Sequence, residues 1–259
     1  MNMRIAIVAF AGTMALAIGA FAANPGTSED RDVLPSGGLA ISKATGKHIC
    51  LLNVSQHLGK AELEKATLPI VLGIRSPIAV VDAKEQGPLE KKVAQAKKDP
   101  KVAFVIPFVD EKSDEMIRYH PGRELCIVNV NALTADGADH ARVIERTKKL
   151  AWRAVGMMLG AGESVTGYTV LRRTQTLEQL DANPVTSPSP EQHNQMVDGL
   201  KAYGIDMVRV GTYRTACERG WAEPPTNDEQ KAIWNEVHTP PSKPMKITYD
   251  KGAKKPVVK

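Results

Sequence analysis

Ala151-Trp152-Arg153-Ala154-Val155-Gly156-Met157-Met158-Leu159-Gly160-Ala161-Gly162-Glu163-Ser164 is the stretch that decides how this chain is read. Apolar residues recur at helical spacing through Val143, Leu150, Ala151, Ala154, Val155, Met158 and Leu159. That spacing predicts a long helix from about Ala138 to Gly160, with this face packed under a sheet. A neighbouring stripe carries Arg146, Lys149, Arg153, Gly156 and Gly160.

Downstream, Leu177-Glu178-Gln179-Leu180-Asp181-Ala182-Asn183-Pro184 is a short polar helix candidate. Ser189-Pro190-Glu191-Gln192 reads as a capping box: Ser189 at the N-cap, Pro190 at the first helical position and Gln192 reaching back. Taken together, Gly156 with Gly160, the segment 177–184 and the upstream strand order resemble the archaemetzincin family of zinc peptidases in one ungapped register. The family pattern is His-Glu-x-x-His-x-x-Gly-x-x-His-Cys, four residues, Cys-x-Met, seventeen residues and Cys-x-x-Cys. Here it runs from Arg153 to Gln192, and the resemblance covers about Lys47 to Tyr203.

The resemblance implies a metzincin-like α/β (α+β) fold. A mixed twisted β-sheet would lie above an active-site-type helix, with a smaller, mainly helical C-terminal subdomain below a cleft. It also implies which residues would have held metal, and here the residues disagree with the chemistry. Arg153 and Met157 stand at the first two histidine positions, Ala154 at the glutamate and Glu163 at the third histidine. A guanidinium has no lone pair to give, a thioether is a poor zinc ligand and alanine cannot take a proton from water. The four cysteines of the family's structural zinc would fall at Ser164, Thr169, Ser189 and Gln192, and its methionine at Leu171. The expectation is therefore a relative that binds no metal or other cofactor and is not an enzyme. Its cleft would be filled or reused for binding, and Arg153 would pair with Glu163 where zinc would sit. The competing expectation is an active secreted metallopeptidase, or another hydrolase using residues outside the pattern.

Upstream, strands are predicted at 48–54, 77–81, 102–109 (broken near Pro107), 116–120 and 125–130, with helices at 59–72 and 88–98. Continuous apolar runs predict strands covered on both faces. After the long helix come a helix at 190–203 ended by Gly204, a strand at Met207–Val210 and a last helix at 227–237. Thr226 is read as the cap of that last helix and Trp234 as its anchor. The domain is expected to span 47–238, divided at 160 and 161, after a flexible lead-in at 24–46.

Met1 to Arg4 is a short basic start, Ile5 to Ala22 an apolar run and Ala20-Phe21-Ala22 a small-residue exit. This reads as a signal peptide over residues 1–23, giving a secreted or periplasmic protein with no transmembrane segment after cleavage. The chain has 34 Lys and Arg against 29 Asp and Glu, but residues 239–259 hold six of the former and one of the latter. The net +5 therefore belongs to a basic tail, expected to be disordered, and the rest balances. Partners left open are a protein, a peptide or an anionic envelope surface; there is no nucleic-acid motif. Cys50, Cys126 and Cys217 suggest no disulfide framework. The six histidines are scattered, and Asp136, Asp139 and His140 read first as the cap and loop before the long helix.

Overall fold

A computed structural model describes residues 36–84, 86–165 and 167–239, together with the strand positions 247–248 and 257–258. The signal-peptide expectation falls outside them. In chain order the elements are β1 (Leu39–Ile41), β2 (His48–Asn53), α1 (Lys60–Ile74), β3 (Ile78–Asp82), α2 (Leu89–Ala96), β4 (Val102–Val109), β5 (Ile117–His120) and β6 (Leu125–Asn129). There follow α3 (His140–Met158), α4 (Leu177–Asp181), α5 (Pro190–Tyr203), β7 (Val210–Thr212), α6 (Tyr213–Glu218), α7 (Asp228–His238), β8 (Ile247–Thr248) and β9 (Val257–Val258). The chain divides into two compact units, residues 43–209 and the two flanks.

The larger unit is built on a five-stranded sheet of order β3-β2-β4-β6-β5, with β5 antiparallel and the other strands parallel. The expected mixed α/β class stands. All six residues of β2 are buried, as a strand covered on both faces requires. Period-two alternation then sorts the side chains. Ile49, Leu51, Phe104, Ile106 and Phe108 join the main core with α1 and α3, while Cys50, Leu52 and Val105 pack with Val93 of α2.

Pro107 does not end β4. The amide of Val54 donates to the Phe108 carbonyl (2.8 Å), which turns Phe108 toward β2 and Pro107 toward β6. Pairing with β6 begins only at Phe108, so the missing proline N–H costs no ladder bond. In α3 the predicted face is correct: Val143, Leu150, Ala151, Ala154, Val155, Met158 and Leu159 are all in the core. Asp139 caps this helix by accepting from the Arg142 amide at 2.8 Å.

The smaller unit corrects three expectations. The lead-in at 24–46 is not a free tether throughout, because β1 pairs antiparallel with β7 (Leu39↔Thr212, Ile41↔Val210). That strand begins at Val210 and not at Met207, since among the described residues it pairs with the short β1 alone. The cap of α7 is Asn227, whose side chain accepts from the Gln230 amide at 2.9 Å; the Gln230 carboxamide in turn accepts from the Thr226 amide. Tyr213, Cys217 and Ile233 form its small core, with Trp234 packed against it. In the basic tail, β8 pairs antiparallel with β9.

Candidate functional site

The site lies where α3 stops. Gly160 takes φ +83°, a conformation open to glycine at little cost. The Ala161 amide then reaches the Gly156 carbonyl (2.9 Å) and the Gly160 amide the Met157 carbonyl (3.1 Å), which closes the helix in a Schellman motif. Gly156 has a different task. A Cβ there would stand 2.6 Å from Cδ2 of the buried Leu171, so the missing side chain lets the returning chain lie on the helix. The two glycines of the motif thus stop the helix and seat residue 171.

Arg153, Met157 and Glu163 converge at this helix end. Arg153 is only 2% exposed. Its Nε donates to Oε1 of Glu163 at 3.1 Å, its Nη2 contacts the same oxygen, and its Nη1 donates to Oγ1 of Thr174 at 2.7 Å. The predicted pairing is present. Oε2 of Glu163 accepts no hydrogen bond among the described residues, and that side chain lines an open groove of 310 Å³ with Tyr119, Met157 and Gly160. Ala154 is absent from this lining and lies in the core, fully buried. These side chains do not fit a zinc ion, because the cation Arg153 already holds the only carboxylate and brings no lone pair. Among the described residues no group of three or more His, Cys, Asp or Glu is placed to hold a metal.

The positions matched to the structural-zinc cysteines also converge, through neutral groups. Gln192, 7% exposed, is the hub. Its Oε1 accepts from Thr169 Oγ1 (2.5 Å) and the Ser189 amide (3.2 Å), and its Nε2 donates to the Gly162 carbonyl (2.9 Å). Ser189 Oγ accepts from the Gln192 amide, completing the predicted capping box. Ser164 is tied to the same loop through its backbone: its amide donates to Leu171 and its carbonyl accepts from Arg173. All four residues line a second open groove of 390 Å³, which shares Gly162 and Glu163 with the first.

Sequence reasoning missed the strongest cluster. Arg146, 1% exposed, uses every N–H it has. It donates to both oxygens of Asp181 (2.9 and 2.6 Å), both oxygens of Asp136 (2.8 and 2.6 Å) and the Leu133 carbonyl (2.6 Å). Hydrogen bonding from Arg146 holds the carboxyls of Asp136 and Asp181 well below the usual range. Lys149, its pKa lowered by burial, donates to the Leu180 carbonyl at 2.7 Å. The stripe of α3 expected to look into a cleft is thus spent, over its first half, on fastening segment 177–184. The signal was a lone arginine between core positions, which demands acceptors.

The remaining candidates scatter. Asp136 serves Arg146, Asp139 caps α3 and His140 meets Glu62 at 2.5 Å, so the three form no catalytic group. His193 contacts the Gly73 carbonyl at 3.2 Å, and His238 stacks on Trp234. Burial pushes the Cys126 thiol up to about 12, and all three cysteines are free and buried.

No protein-family model and no curated protein matches this chain. Solved structures do. One is a zinc-dependent peptidase from Methanocorpusculum labreanum (strain Z), 13% identical, with a TM-score of 0.47, covering 57% of this chain and 99% of its own. Another is archaemetzincin from Methanopyrus kandleri, 15% identical, with a TM-score of 0.45, covering 60% of this chain and 96% of its own. The likeness is one of fold. The expectation that this chain is not an enzyme is overturned: the structures it resembles include a zinc-dependent peptidase, and no observation on this chain demonstrates inactivity. Absence of one ligand pattern does not decide what other groups in a groove can do.

Proposed function

We propose that this is an exported protein that binds an extended polypeptide segment along β5, over the groove at the end of α3. One observation carries the reading: β5 is an edge strand whose open side borders that groove. Among the described residues its single strand neighbour is β6. The Asn129 amide donates to the Met116 carbonyl at 2.9 Å, so in the alternating antiparallel ladder residues 116, 118 and 120 face β6. Ile117 and Tyr119 turn their N–H and C=O outward. An incoming segment can add a strand there through main-chain bonds, with alternate side chains dropping toward Met157 and Gly160. The ion pair of Arg153 and Glu163 then stands where the resemblance places a metal, as a floor with one carboxylate oxygen left over.

The test is a display selection of unstructured peptides on the full chain, scored for binding and for cleavage together. Tyr119→Pro removes a donor from the outer edge of β5 together with the ring that lines the groove, so its binding is compared with that of Tyr119→Ala, which loses the ring alone. Binding at least tenfold weaker in the proline variant than in the alanine one, with the fold intact, supports strand addition; equal binding refutes it. Cleavage would add hydrolysis to the reading. Fractionation of the source cells checks export.

A relation of the second groove to a four-thiolate site has its own test. A variant with Ser164→Cys, Thr169→Cys, Ser189→Cys and Gln192→Cys is expected to bind one cobalt with thiolate charge-transfer bands. Failure to bind metal beyond the parent protein counts against that relation.

A further inference from the structure

We infer that the second groove is a subsite for a lysine or arginine side chain of the bound segment; this rests on the strand-addition reading above. The two grooves adjoin through Gly162 and Glu163, so a side chain of a segment lying over the first is within reach of the second. Among the described residues no Lys, Arg or His lines the second groove. Two carboxylates do, and each has capacity to spare. Glu163 meets Arg153 through Oε1 alone, and Glu191 has no hydrogen-bond or ion-pair partner among the described residues.

The start of α5 borders the groove, yet it is not set up for an anion. Pro190 has no N–H, the Gln192 amide is taken by Ser189 Oγ and the His193 amide by the Ser189 carbonyl, which leaves in the first turn the amide of Glu191, a residue whose own carboxylate repels an anion. Tyr168 lines the groove with its side chain almost wholly in water, at 89% exposure. An exposed aromatic face beside unpaired carboxylate oxygens suits a cation, which gains from the ring quadrupole and from the charge at once. The aliphatic stem of lysine or arginine also covers apolar surface on the way in.

Take the best peptide from the selection and replace each position in turn by Lys, Gln and Glu, measuring affinity by fluorescence anisotropy. One position is expected to favour Lys over Gln by about tenfold, the scale of a cation–π contact with one partly screened charge. Glu191→Gln and Tyr168→Ser should each shrink that ratio severalfold. A merely structural role for Glu191 at the helix start would weaken all peptides alike and leave the ratio unmoved, which overturns the subsite. No position preferring Lys over Gln also overturns it, with strand addition intact. If no peptide binds at all, strand addition has failed and takes the subsite with it.

Discussion

Arg146 and Arg153 lie seven residues apart on α3, on one stripe, and both are almost fully buried. Their surroundings differ. Arg146 is clamped by two carboxylates and a carbonyl with no donor left over, whereas Arg153 has one carboxylate, held by a single oxygen, and a threonine. The first arrangement closes on itself; the second leaves an acceptor facing a groove. One stripe of one helix therefore does two jobs. Its N-terminal half fastens the chain after Leu177, and its C-terminal half builds a surface that another molecule can reach.

The largest effect should come from unbalancing the closed half. Asp181→Leu leaves the Arg146 guanidinium buried with one of its two carboxylates gone, and should cost about 3–5 kcal/mol in denaturant unfolding. Acid does the same by titration. The folded pKa values of Asp136 and Asp181 are depressed, so their contribution is fully present above the ordinary carboxylate range, near pH 4. It is lost as pH falls through the lower folded values. Arg146→Met should flatten the acid limb of the stability profile below about pH 4; an unchanged limb would show that the clamp is not what acid breaks.

The open half should respond less. Glu163→Leu strands Arg153, but beside a groove that water can enter, so about 2 kcal/mol is expected, clearly below the cost of Asp181→Leu. Pairing it with Arg153→Leu should restore most of that loss, because two apolar groups replace two charges. Equal costs at Asp181 and Glu163 would erase the distinction between clamp and groove.

The contrast between the halves also marks what could be read from the residues. The strands, the apolar face of α3 and the capping box at Ser189 follow from periodicities and caps that act within a few residues. The pairing of Arg153 with Glu163 was legible because a known pattern put both at one point. The clamp was not, since nothing in a one-dimensional pattern joins Asp136, Arg146 and Asp181 across a helix and a loop. The same blindness to distant partners hid the pairing of β1 with β7, which made part of a polar lead-in look like a tether. Asn227 displaced Thr226 as a cap because the helix started one residue later than the motif suggested.

The smallest effect belongs to the neutral network at the far end of the open half. Gln192→Ala removes a donor to Gly162 and an acceptor for Thr169 and Ser189. The groups left behind border an open groove, so water replaces part of what they lose, and about 1 kcal/mol is expected. Since no member of the network carries charge, the loss should be the same at pH 5 and pH 9, unlike the loss at Asp181. A Gln192→Ala deficit that grows in acid would mean that the network leans on a carboxylate, with Glu163 and Glu191 the nearest in that groove. The two ends of the site would then be one electrostatic unit, and the neutral lobe would lose its separate character.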